Sequence, residues 1–172
     1  MYIAGRNEDF EKTQSLWMDN LLCKWPETQA TVSKYFGSLN KAHLLREYDS
    51  PVISLSHFLP RQELIIPTED EIKKVDQERV AMGMTVLDTP EHQGANVGFN
   101  FSRYAGCKSI ERQIRRVGSK VHIHGHQHRN RNRIIDGVQY ISFCLGYPRE
   151  RSQGLMWGFS KVNGPIQVWP RL

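Results

Sequence analysis

The hydrophobic period changes at Gly118, and no other feature constrains the fold as strongly. Before it, Ile110, Ile114 and Val117 recur on one helical stripe, and Gly118 is placed to end that helix. After it, Val121 and Ile123 alternate with His122 and His124, the period of a strand, until Gly125 breaks the pattern. Arg131 to Ile135, then Asp136-Gly137, then Val138 to Ile141 spells a hairpin, because Asp-Gly supplies the positive φ angles of a type I′ turn. Met156 to Val162, Asn163-Gly164 and Ile166 to Trp169 repeat that arrangement and predict a second hairpin.

Upstream, helical spacing dominates. Phe10, Trp17 and Leu21 predict a first helix that Pro26 interrupts, and residues 30–48 predict another, with a break at Gly37-Ser38. Val52 to His57 is a short apolar run of strand type that ends at Pro60. Thr68 with Glu71 three residues later forms a capping-box signature ahead of Ile72 and Val75. Residues 82–100, rich in Gly, Pro and Asn, read as loop. The class expected is α/β, with a helical N-terminal third and a mostly antiparallel C-terminal sheet.

With 172 residues, there is room for one domain. No apolar run is long enough to span a bilayer, and Arg6, Glu8 and Asp9 interrupt the start, so neither a membrane partner nor a secretory leader is expected. Three widely spaced cysteines, Cys23, Cys107 and Cys144, indicate free thiols in a reducing, cytoplasmic setting. Charge is uneven. Nine basic residues lie between Arg103 and Arg133 against Glu111 alone, while the whole chain carries only +5. Arg112, Arg115 and Arg116 are expected on the wet face of a helix, whereas Arg129, Arg131 and Arg133 would line one face of a strand.

The chemistry concentrates in two places. Four of the seven histidines crowd into Val121-His122-Ile123-His124-Gly125-His126-Gln127-His128. Neutral imidazole binds zinc, iron and other transition metals, and a strand ending in Gly-His-x-His lets the backbone turn, so that His126 and His128 can reach two adjacent ions. His122 and His124, still on the strand, share a face and are expected to pack or to support the ligands from behind. The second place is Ser56-His57-Phe58-Leu59-Pro60-Arg61, a histidine just beyond a short strand.

Together these segments resemble the last two signature blocks of the calcineurin-like metallophosphoesterases, a strand followed by Ser-His-x-x-Pro and a later strand followed by Gly-His-x-His. Leu22 to Pro26, the helix to Gly118, Asp136 to Ile141 and Gly146-Tyr147-Pro148-Arg149-Glu150-Arg151 extend the likeness to one branch of that superfamily, over roughly residues 15–151. The resemblance implies a four-layer α/β/β/α sandwich and a hydrolase that cleaves phosphate esters with a two-metal-activated water. It implies that His57 and His126 ligate one divalent ion (Mn, Fe or Zn) and His128 the other. Arg61 and Arg149 could hold phosphate oxygens through their planar forks, or be ordinary loop and surface arginines.

The three earlier blocks of that family, Asp-x-His, Gly-Asp-x-x-Asp and Gly-Asn-His-Asp/Glu, do not occur here. They would supply the bridging Asp, a ligand Asp, a ligand Asn and the His that protonates the leaving group. Residues 1–172 therefore read as a partial domain, its C-terminal half. Three neutral imidazoles cannot offset the repulsion of two close cations, so the chain is expected to hold at most one ion weakly and to be inactive alone. A single sheet would also leave an apolar face bare, which a complementary N-terminal half would cover, and truncation is the expected origin. Two other readings compete. One is a non-catalytic module binding nucleic acid or another polyanion through Arg129, Arg131 and Arg133. The other is a structural zinc site, although three histidines without a fourth ligand usually leave an open position.

Overall fold

A computed structural model describes residues 31–87 and 101–156 throughout, with Ser15, residues 17–24, Glu27 and residues 166–169. Its class is mixed α/β. Helices α1 (Met18–Leu22), α2 (Val32–Leu39) and α3 (Lys41–Leu45) precede strand β1 (Val52–Ser56). A 3-10 turn (Gln62–Leu64) and helices α4 (Glu69–Ala81), α5 (Ser102–Ala105) and α6 (Lys108–Arg116) separate β1 from β2 (Ser119–His124). Strands β3 (Arg131–Ile135) and β4 (Val138–Ser142) and helix α7 (Pro148–Ser152) follow.

Local chemistry explains most of these boundaries. Thr68 and Glu71 close the capping box at the start of α4, each side chain satisfying the other's backbone N–H. Gly118, at φ +66°, ends the turn after α6, and Asp136 and Gly137, at φ +48° and +77°, form the β3–β4 turn. Helix α2 departs from expectation. It runs through Gly37 and Ser38 and stops at Asn40. Gly37 is accommodated inside the helix and does not break it; the break comes at Asn40, whose side chain donates to Gln113 of α6 at 2.8 Å. Phe10 of the expected first helix, residues 88–100 of the expected loop and residues 157–165 of the second hairpin lie outside the described residues.

The sheet has the order β1-β2-β4-β3. β1 pairs parallel with β2, β2 pairs parallel with β4, and only β3 and β4 are antiparallel. The expectation of a mostly antiparallel C-terminal sheet is thus corrected to a mixed sheet. A tight turn reveals its hairpin in sequence, but nothing local marks β4 as a neighbour of β2 or β1 as the strand beyond it.

One face of this sheet packs on α6. Leu59, Leu64, Ile114, Val138 and Tyr140 form the core there, joined by Ile65, Ile110 and Ile135. Each fully buried leucine contributes roughly 2 kcal/mol. Tyr140 donates its hydroxyl to Glu111 of α6 at 2.7 Å, which ties helix to sheet. His122 and His124 lie on this face, 1% and 5% exposed, with ring centroids 6.4 Å apart. Registration places Ile53, Leu55, Val121, Ile123, Ile134 and Ile141 on the other face, where Leu55 and Ile134 are exposed.

The two buried histidines differ in one respect. Both nitrogens of His122 meet serine hydroxyls, while neither nitrogen of His124 has a partner among the described residues. Burial pushes both down to about 4, so each binds its proton more readily in the unfolded chain. The fold should therefore lose stability as pH falls from about 6.5 to 4, by roughly 3 kcal/mol per histidine. At pH 7, His122→Leu should cost about 1–3 kcal/mol by stranding Ser54 and Ser56, whereas His124→Leu should cost nothing or stabilise. Urea unfolding of both variants between pH 4 and 7 checks this; equal losses at pH 7 would contradict the difference in pairing.

Candidate functional site

Parallel pairing fixes where the candidate residues meet. The register Ser56↔His124 brings the carboxyl ends of β1 and β2 to the same edge, so the chain leaves both strands side by side. The N–H of Gly125 donates to the carbonyl of His57 at 3.0 Å, extending the ladder by one step. β4 ends at that edge too, being parallel to β2. Open sheets with parallel strands characteristically place ligands at these carboxyl ends.

His57 and His126 come together there. His57 Nε2 lies 3.0 Å from His126 Nδ1, with ring centroids 4.9 Å apart. His126 Nε2 is 3.0 Å from the carbonyl of Tyr104, which can only accept, so Nε2 carries the hydrogen. Nδ1 of neutral His126 therefore keeps a free lone pair, directed at His57. Phe58, Phe101 and Trp17 stand against the His126 ring at centroid distances of 4.6, 5.3 and 5.4 Å. Burial among these rings, then the neighbouring His57, pushes His126 down to about 4 and keeps it neutral near pH 7.

The segment carrying His57 is clasped from both sides. Leu59 N–H donates to Ala105 O at 2.9 Å, and Leu59 bridges Gly106. A Cβ on Gly106 would fall 1.9 Å from the Leu59 carbonyl oxygen, so only glycine lets the two backbones approach this closely. This contact also delivers the Tyr104 carbonyl to His126.

His126 and His128 both adopt positive φ, +72° and +52°, with Gln127 between them. Such backbone costs about 1 kcal/mol or more at each residue and collects at functional sites. The turn separates the two side chains. His128 does not join the His57–His126 pair but places Nδ1 3.1 Å from a Glu150 carboxylate oxygen, with Tyr147 at 5.0 Å between ring centroids. In the neutral ring, donation from Nδ1 to that carboxylate leaves Nε2 with the lone pair. Glu150 is itself held by the Tyr147 N–H at 2.7 Å. Sequence reasoning missed Glu150, although the Tyr147-Pro148-x-Glu150 start of α7 carries an acid at the third helical position, where capping carboxylates sit. It also missed the aromatic residues around His126 and the role of Tyr104, since a backbone carbonyl leaves no trace in sequence.

Among the described residues, no three His, Cys, Asp or Glu side chains are arranged to hold a metal ion. His57 meets His126 in one pair, and His128 meets Glu150 in another. Two imidazole nitrogens 3.0 Å apart approach the separation of about 3.3 Å that ligands on one tetrahedral zinc would have. His126 and His128 each give one ring hydrogen to an oxygen acceptor and keep the other nitrogen bare, as metal-ligating histidines do.

The arginines are distributed differently from expectation. Arg61 is committed to Glu63 at 2.7 Å, Asp136 at 2.8 Å and Glu111 at 3.2 Å. Arg149 is exposed on the first turn of α7, beside Glu150. The ridge expected of Arg129, Arg131 and Arg133 does not form. Arg131 is 3% exposed and donates to the carbonyls of Leu64 and Asn130. Arg133 grips buried Glu71, with Nε 2.9 Å from Oε1, and donates to the carbonyls of Glu63 and Ile66. Burial pushes the Glu71 carboxyl up, but the Arg133 hydrogen bond and the Arg131 charge outweigh it and hold the group below its usual range. Arg129 donates to the His128 carbonyl at 2.9 Å. Arg115, expected on a wet face, instead reaches Glu111, Tyr140 and the carbonyls of Ile135 and Asp136.

Compared with known proteins, the chain matches no family model, no curated protein and no solved structure.

Because Arg133 neutralises a buried carboxylate, Arg133→Ala should destabilise the fold by about 3–5 kcal/mol, and Glu71→Gln by a similar amount. Thermal unfolding measures this. An Arg133→Ala protein as stable as wild type, yet with weakened salt-dependent DNA binding, would restore the polyanion reading.

Proposed function

We propose that the chain is the C-terminal half of a calcineurin-like metallophosphoesterase domain, a hydrolase of phosphate esters that completes its metal centre with residues this chain lacks. The observation carrying this reading is the meeting of His57 Nε2 and the bare Nδ1 of His126 at the carboxyl ends of two parallel strands. On this reading His57 and His126 hold one divalent ion, of manganese, iron or zinc, and His128 contributes Nε2 to a second. When bound, the ions supply Lewis acidity and a water acidified towards neutral pH. The chain's own residues do the rest. Tyr104 orients His126 by accepting its hydrogen, and Glu150 keeps the hydrogen of His128 on Nδ1. Trp17, Phe58 and Phe101 keep water from the His126 ring. Arg149, exposed beside Glu150, is better placed to meet phosphate oxygens than Arg61, whose guanidinium is bound by three carboxylates.

The four-layer sandwich belongs to the same proposal. Its support is the apolar sheet face opposite α6, where Leu55 and Ile134 are exposed while Val121 and Ile141 are buried. A second sheet against that face would complete the architecture. Among the described residues no helix is long and apolar enough to cross a membrane.

Calorimetric titration with Mn²⁺ tests the metal reading. The chain should take up at most one ion, weakly, and His57→Ala or His126→Ala should abolish that uptake. Joined to an upstream segment bearing the three missing blocks, it should hydrolyse a phosphodiester, and His128→Ala should remove that activity. Two tight sites in the chain alone, or uptake indifferent to His57→Ala, would overturn the proposal.

A further inference from the structure

His122 is buried and touches neither His57 nor His126 in any hydrogen bond, yet it is wired to the segment that carries His57. Its Nδ1 lies 2.8 Å from Ser54 Oγ and its Nε2 lies 2.9 Å from Ser56 Oγ. Ser56 donates its hydroxyl to the carbonyl of Phe58 at 2.5 Å. A hydroxyl has one hydrogen, so towards His122 Ser56 can only accept. The ring hydrogen of His122 therefore sits on Nε2, and Nδ1 takes the hydroxyl hydrogen of Ser54. The order of donation runs Ser54, His122, Ser56, Phe58 carbonyl. The last bond spans the residue between Ser56 and Phe58, which is His57.

We propose that His122 is a positioning residue that acts through Ser56 to hold His57 at bonding distance from His126. This rests on the metallophosphoesterase reading for its purpose, but not for its geometry. The His57 backbone is constrained twice, by the bond across it from Ser56 and by the Gly125 N–H on its own carbonyl. Burial pushes His122 down to about 4 and keeps it neutral near pH 7, and in the neutral ring the tautomer with its hydrogen on Nε2 bonds both serines at once. A serine without this acceptor duty could turn its hydroxyl to solvent and release the Phe58 carbonyl.

The test uses the full chain without metal at pH 7.5. Imidazole ¹⁵N NMR reads the protonated Nε2 of His57 against the bare Nδ1 of His126. Ser56→Ala and His122→Leu should move the His57 nitrogens to the values of a solvent-exposed imidazole. Ser56→Thr, which keeps the hydroxyl, and His122→Gln, which keeps a donor at the Nε2 position, should retain the wild-type pattern. Wild-type shifts in Ser56→Ala, or a loss in Ser56→Thr equal to that in Ser56→Ala, would overturn the proposal. In the Mn²⁺ titration, Ser56→Ala should bind about 10- to 100-fold more weakly than wild type. Equal binding by a folded Ser56→Ala would also overturn it. A wild-type chain that, joined to an upstream segment bearing the missing blocks, hydrolyses no phosphodiester would sink the phosphoesterase reading, and the ¹⁵N pattern would still decide the role of His122.

Discussion

The parallel ladder between β1 and β2 is the constraint on which the site depends. Had the two strands paired antiparallel, Ser56 and His124 would lie at opposite edges, and the histidines that follow them would be a strand's length apart. The observed register sets Ser56 beside His124 and hands the next residue of each strand, His57 and Gly125, to a shared hydrogen bond. Everything downstream is local. Gly125 ends the extended run, His126 enters left-handed backbone, and its ring swings back against His57.

Burial then decides the protonation states. A histidine in water gains its charge as pH falls through about 6.5, and two imidazolium ions 3 Å apart would repel. Here burial keeps both His122 and His126 neutral, and each hydrogen is assigned by its partner: the Tyr104 carbonyl can only accept, and the Ser56 hydroxyl has already given its hydrogen to Phe58. The same economy governs the arginines. Local sequence shows a basic stripe, but Glu71, Glu111 and a row of free carbonyls absorb Arg61, Arg115, Arg131 and Arg133 inside the fold.

Much of this was readable from sequence where the signal is short-range. The Thr68–Glu71 box, the Asp136-Gly137 turn and the cap at Gly118 each follow from two or three residues, and the structure has all three. The juxtaposition of His57 with His126 was expected only through a family resemblance, because their 69-residue separation carries no local information. The partners of Arg131 and Arg133 were missed for the same reason: Glu71 lies 62 residues before Arg133, and a strand's alternation says which residues share a face, not what covers it. Gly37 misled because a single glycine lowers helix propensity without ending a helix, and α2 runs on to Leu39.

The contact of Gly106 on Leu59 has a dynamic consequence. Pinned there, at Gly125 and through Arg61 to Asp136, the stretch from His57 to Arg61 cannot swing as a flap without breaking several bonds together. The exposed His57 ring is less tightly held than its backbone, because turning it about its own side-chain bonds breaks only the hydrogen bond to His126. On the metallophosphoesterase reading, admission of an ion between the two imidazoles would need that single bond to open and no movement of the backbone.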